Sequence, residues 1–277
     1  MEWNGLFGLL YGLFGGFFEF LPVSPLLHQQ AFLKIAGLDT PGYGLDFAVH
    51  FGALVAVIVS YYGKISKLTR ERKIAAQPKR KRKRQPDISS LMESRLLRVA
   101  AVPVTLICLL TPWASGSFNR LWLIALIAVV NGVIVLLPQH MVRANKDSRT
   151  LSPLDATLIG LAGMLAAIPG ISRMGVLTSV ASMRGADRRF GLDFAYLLMI
   201  PALAALCIGD LGMLLFSGAS FTGVSFLTGI IAYVAAFAAG FAGIRLMRFL
   251  AFKESVEGLA CYKWGLAMFT FIIYLIG

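Results

Sequence analysis

The sequence predicts an all-α polytopic membrane protein: six transmembrane helices plus two re-entrant helix hairpins, arranged as an inverted-topology repeat. Three observations predict it. Of the 277 residues, 57% are hydrophobic and 14% charged, against roughly 25% charged in a soluble domain. That leaves too few polar residues to coat a soluble core. Apolar stretches of roughly 18–25 residues, the length that crosses a bilayer as helix, recur along the chain. Finally, Gly44-Leu45-Asp46-Phe47-Ala48 returns 147 residues later as Gly191-Leu192-Asp193-Phe194-Ala195, and Pro22 returns at the same offset as Pro169. Residues 1–277 read as a single membrane domain, with repeat 1 at about 1–140 and repeat 2 at about 150–277.

The elements follow in order. Residues 5–21 are apolar but stop at Pro22, and a second short helix is expected over 24–36. Proline ends a helix by removing a donor and clashing with the preceding turn, so this pair reads as a hairpin that dips into the membrane and returns. Full spans follow at about 45–63, 96–113 and 120–138. Residues 154–168, Pro169 and 172–183 form the second hairpin, and spans at about 190–213, 223–247 and 259–276 complete the chain. The apolar N-terminus lacks a basic leader and a small-residue cleavage site, so it reads as part of the fold and not as a signal peptide.

The formal net charge of +12 raises the question of nucleic acid, and Lys79-Arg80-Lys81-Arg82-Lys83-Arg84 resembles such a patch when read alone. Between two apolar spans, a basic run instead marks the cytoplasmic side and can rest on anionic lipid headgroups. The chain has 26 Lys and Arg. Thirteen lie between Lys64 and Arg98, and all but Lys34, Arg120 and Arg173 fall on one side of the predicted spans. The positive-inside rule puts that side, including a basic loop at 64–95, in the cytoplasm. The first hairpin then opens outward, the second inward, and the C-terminus lies outside. Cys108, Cys207 and Cys261 have no Cys or His neighbours at metal-ligand spacing, which argues against a zinc site or disulfide framework.

In inverted repeats the ligand site lies near the midplane, where broken helices meet. Ionisable residues at such depth are costly and mark functional paths. Glu19 and His28 flank the first break and Arg173 follows the second. Arg173 comes after Pro169-Gly170-Ile171-Ser172 at the start of a short helix, where free N–H groups and the helix dipole favour an anion. Its planar fork of donors suits phosphate. A Glu19–Arg173 pair that merely neutralises both groups is the plainer alternative. Ser24 and Ser172 sit at helix starts, where serine caps, and a nucleophilic or phosphate-binding role stays open for each. His28 is suited either to proton transfer or to a buried hydrogen bond. Asp46 and Asp193 read as structural, bonding nearby backbone donors.

At these residues the chain resembles the bacterial undecaprenyl-diphosphate phosphatase family of the bacitracin-resistance type, over nearly its whole length. That family's first motif runs Glu-x-x-x-Glu-Phe-Leu-Pro-Val-Ser-Ser-Thr/Ser-Gly-His. Glu19 through Ser24, then His28, match it. The second runs Pro-Gly-x-Ser-Arg-Ser-Gly, matched by Pro169, Gly170, Ser172, Arg173 and Gly175. The resemblance implies removal of the terminal phosphate from a polyprenyl diphosphate lipid, in the bacterial inner membrane, to recycle a carrier for cell-wall synthesis. It further implies a divalent cation, Mg or Ca. Arg173, with Ser172 and Gly170, would bind phosphate, Glu19 would serve as a metal ligand or acid–base group, and His28 would help activate the attack. Ser24 is a catalytic candidate. The chain departs from the motifs at Gly15, in place of the first glutamate, at Pro25, in place of the second serine, at Leu26-Leu27, and at Met174. The missing carboxylate and hydroxyl keep a second reading open, a non-hydrolytic binder or flippase of polyprenyl phosphate.

Overall fold

Ten α-helices and several 3-10 turns are formed by the described residues of the computed structural model, which are 3–114, 120–140, 145–216, 224–252 and 257–276. Helix α1 (Gly5–Glu19) begins where Asn4 caps the Phe7 amide at 3.0 Å. After the Pro22 break, α2 (Pro25–Ala36) starts with Ser24 as its cap and Pro25 at the first turn, and stops at Gly37 with φ 60°. Then come α3 (Tyr43–Ala76), α4 (Ile88–Ala114) and α5 (Leu121–Leu136). The second break separates α6 (Pro153–Gly163) and a 3-10 turn (Met164–Ala167) from α7 (Arg173–Met183). Last are α8 (Arg188–Phe216), α9 (Phe226–Phe252) and α10 (Glu257–Ile276). The described residues contain no strand, only an isolated bridge between Lys146 and Ala186.

Four helices, α3, α4, α8 and α9, are long and apolar enough to cross a membrane. The expected spans at 120–138 and 259–276 correspond to the shorter apolar helices α5 and α10. The basic segment differs most from expectation. Instead of a loop over 64–95, α3 continues to Ala76 and α4 begins at Ile88, leaving 77–87 as the connection. Lys and Arg are good helix formers, and acidic partners tie the two extensions together. Lys64 meets Glu93 at 2.8 Å, Lys67 meets Asp87 at 3.1 Å, and Arg84 grips Glu71 through two bonds. The Ser90 hydroxyl and then Lys67 hold the Asp87 carboxyl down to about 2. Of the basic residues counted above, Arg143 and Lys253 lie outside the described residues.

The packing has an exchange symmetry. Helix α1 lies on α9 as α6 lies on α4; α3 lies on α9 as α8 lies on α4; α2 pairs with α1 as α7 pairs with α6. Helices α3 and α8 pack on each other, and so do α5 and α10. Glycines permit the closest of these contacts. A Cβ added at Gly12 would stand 2.3 Å from the Ala232 carbonyl oxygen, and one at Gly160 would stand 2.3 Å from that of Ala100. Small residues let helix backbones approach closely where apolar surface alone cannot drive association, as in lipid. The largest buried cluster runs through the middle of the molecule and includes Phe20 and Leu21 of the first break, Met174 of α7, and Tyr196 of α8.

Candidate active site

The two breaks meet. The Ser172 hydroxyl donates to the Leu21 carbonyl at 3.0 Å, and the Tyr196 hydroxyl donates to that of Phe20 at 3.0 Å. These bonds satisfy carbonyls that the interrupted α1 cannot pair within itself. Across the junction the Arg173 guanidinium donates through Nη1 to Glu19 Oε1, with both side chains buried. Arg173 Nε has no partner and is buried. A buried donor left unpaired costs roughly 1–3 kcal/mol, which makes it a natural place for an anion's oxygen.

Beside this pair lies a cavity of about 530 Å³. Glu19, Ser24, Gly170 and Arg173 line it, so four of the six residues singled out in the sequence share one space. Residues at the N-terminal ends of α2 (Pro25 and Leu26) and α7 (Arg173) line it, where the helix dipoles add positive field to that of Arg173. Gly170 adopts φ 97°, in the left-handed region, and a Cβ there would fall 2.5 Å from the Ile124 carbonyl oxygen. Glycine is therefore required for the turn that aims α7 at the cavity.

The other two are engaged elsewhere. Ser172 Oγ accepts from the Gly175 amide at 3.1 Å while donating to Leu21, so its hydroxyl is spent on the α7 cap and on joining the breaks. His28 does not line the cavity. Its Nδ1 donates to the Ser24 carbonyl at 2.7 Å, its Nε2 accepts from the Tyr262 hydroxyl at 2.8 Å, and its ring stacks on Phe18. Nδ1 is taken up within the first turn of α2, Nε2 ties α2 to α10, and the ring face packs α2 on α1. Ser24 lines the cavity, but its Oγ accepts the Leu27 amide at 3.3 Å.

The aspartates expected to bond backbone donors bond side chains instead. Tyr11 donates to Asp46 at 2.7 Å, and Tyr61 and Lys64 reach Asp193 at 2.8 and 3.4 Å. Only tertiary packing brings these partners within reach.

Several site residues were not anticipated. His50 on α3 and Asp210 on α8 both line the cavity, joined through Nδ1 and Oδ2 at 2.6 Å. They are ionisable residues within apolar stretches, and the cost of charge at membrane depth is the one sequence signal that points to them. Gln29 fills the space beside Gly15, where an added Cβ would lie 2.7 Å from its amide nitrogen. Behind the second break the buried Asn131 supports the Ser172 amide at 2.9 Å when its amide oxygen faces that donor. Among the described residues, no group of three or more His, Cys, Asp or Glu is arranged to hold a metal ion. Glu19 is already engaged by Arg173. The donor set at Glu19 does not fit the divalent-cation site that the resemblance implies.

Known proteins resemble this chain over nearly its whole length. The family model described as bacitracin resistance protein BacA matches residues 8–269. An undecaprenyl-diphosphatase of Carboxydothermus hydrogenoformans is 27% identical over 99% of both chains. One from a Nocardioides species is 27% identical over 97% of this chain and 96% of its own. The undecaprenyl-diphosphatase 1 of Shouchella clausii is 28% identical over 95% and 94%.

Proposed function

We infer, from the premise that the chain belongs to the bacitracin resistance protein BacA family, that it is an undecaprenyl-diphosphatase. It hydrolyses undecaprenyl diphosphate to undecaprenyl phosphate and phosphate, recycling the lipid carrier for cell-wall synthesis. The observation that carries this reading is the buried Arg173, paired to Glu19 through one arm and unpaired at Nε, beside a cavity that two helix N-termini enter.

Phosphoryl transfer asks mainly for positioning and charge neutralisation, and the roles divide accordingly. Arg173 holds the terminal phosphate through the donors Glu19 leaves free, and Glu19 keeps the guanidinium in place. Gly170 and the first turns of α2 and α7 present backbone N–H groups to the same oxygens. Leu26, Val49, Ala53 and Leu206 give the cavity an apolar wall suited to a polyprenyl tail. A hydrogen bond donated to Ser24 Oγ makes it a poorer nucleophile, and Pro25 has no hydroxyl, so the attacking group is a water.

The same reading extends to topology. The long helices α3, α4, α8 and α9, with α5 and α10, make six spans in the bacterial inner membrane, and α1/α2 and α6/α7 are re-entrant hairpins. The exchange symmetry of the packing and the repeated sequence landmarks support two inverted repeats. The N-terminal half of α3 lines the cavity while its C-terminal end carries the basic residues, so the two lie at opposite ends of the molecule. With the basic end cytoplasmic, the cavity faces the outer leaflet.

Phosphate release by the purified chain from undecaprenyl diphosphate tests the function. Arg173→Ala is expected to lose about 10²–10³-fold in turnover, the cost of removing one group that stabilises developing charge. Absence of release by the unaltered protein, with lipid-phosphate binding intact, would favour the non-hydrolytic binder.

A further inference from the structure

Phosphoanhydride hydrolysis by water needs a group to take the water's proton, and the residues nearest the breaks are poorly placed to do so. Glu19 is tied to Arg173, and both nitrogens of His28 are engaged outside the cavity. The hydroxyls of Ser24 and Ser172 serve caps. Position 15, where the family motif has a carboxylate, is glycine.

The cavity holds another candidate. His50, on α3, bonds through Nδ1 to Asp210 Oδ2 of α8 at 2.6 Å. The Asp210 side chain is 3% exposed, whereas that of His50 is 25% exposed and lines the same cavity as Arg173. A buried carboxylate that accepts one ring N–H fixes the tautomer and leaves the other nitrogen as the basic one. Here that nitrogen is Nε2. Asp46, one turn before His50 on α3, is held by the Tyr11 hydroxyl, so it does not compete for the ring.

We propose that His50 is a further catalytic residue, the base for the attacking water, and that Asp210 is its positioning residue. This rests on the phosphatase reading given above. The water oxygen bonds to the terminal phosphorus and its proton passes to His50 Nε2. The bond from that phosphorus to the bridging oxygen breaks, and its electron pair stays with the departing undecaprenyl phosphate. The proton then leaves His50 with the released phosphate or to solvent. Besides Asp210, the groups that act on the imidazole are Glu19 from α1 and Asp46 on its own helix.

The test is phosphate release from undecaprenyl diphosphate by the full-length protein in lipid nanodiscs, with kcat and KM followed from pH 5 to pH 9. His50→Gln is expected to lose about 10²-fold or more in kcat, the range for losing a general base. Its KM should stay near the unaltered value, and the fall in kcat towards acid pH should disappear. Asp210→Asn should lose roughly 10-fold in kcat, with KM unchanged, and keep that acid limb. A His50→Gln protein with unaltered kcat and the same acid limb overturns the proposal. So does one in which kcat, KM and melting temperature deteriorate together, as loss of a merely structural pair would cause. If His50→Gln does not fold, Asp210→Asn decides alone: unchanged kcat overturns the proposal and a selective kcat loss upholds it. No release by the unaltered protein overturns the phosphatase reading itself, whereas full release with an indifferent His50 overturns only the inference drawn here.

Discussion

At the scale of single residues, the Glu19–Arg173 pair sets both chemistry and stability. Each side chain is nearly sealed from solvent, at 7% and 9% exposure. Removing one partner strands a buried charge at a cost of about 3–5 kcal/mol, whereas replacing both with apolar groups of similar volume is close to neutral. Glu19→Ala should therefore lower the melting temperature of the detergent-solubilised protein sharply. The double replacement Glu19→Leu with Arg173→Met should recover most of that loss while remaining inactive. A double variant as unstable as the single one would show that the pair's worth is not electrostatic. The geometry of His28 belongs to this scale too. The motif match identifies the residue, but the rotation of α2 turns its ring onto Phe18 and Tyr262 and away from the cavity.

At the scale of elements, helix starts and close helix contacts decide where the site groups stand. Proline removes a backbone donor at each break, and serine recovers part of the loss at each restart, Ser24 for α2 and Ser172 for α7. The α1–α9 contact then holds the first hairpin against the bundle. A Cβ at Gly16 would stand 2.2 Å from the Ala236 carbonyl oxygen, so Gly16→Val must push two helices apart. Overpacking of this kind costs about 1–3 kcal/mol, and the expected result is a lower melting temperature with loss of turnover. Gly63 on α3 has nothing within 4 Å of an added Cβ, so Gly63→Ala should keep turnover and not lower the melting temperature. Equal effects from the two substitutions would remove the packing explanation.

At the scale of the whole molecule, cavity and basic segment lie at opposite ends of α3. The proposed orientation makes two accessibility predictions for single-cysteine variants in intact cells. A cysteine within 79–84 should react only when the cytoplasm is open to reagent. One at Thr40, exposed at the cavity rim, should react from outside. The opposite pattern would reverse the sidedness and turn the cavity towards the cytoplasm. The packing adds a mechanical point. Because α1 and α6 use the same kind of contact on α9 and α4, each hairpin is held by a helix from the other half of the chain. The site exists only when both halves fold together.

Composition, hydrophobic runs and helix-breaking chemistry act over a few neighbouring residues, and these the sequence determined by itself. It specified a helical membrane chain, the interruptions at Pro22 and Pro169, and the strings around Glu19 and Arg173 that carry the family. The extent of the basic helices was not legible, because the partners that extend them, such as Glu93 for Lys64, come from the next helix. Nor was the rotation of α2, which depends on what α1 and α10 present to it. The His50–Asp210 pair was hidden for the same reason: its members are 160 residues apart in the chain and meet only where α3 crosses α8. Local physics chooses where helices form and where proline breaks them. Which side chains share a cavity is decided by packing energies summed over distant elements, and only the tertiary structure records their outcome.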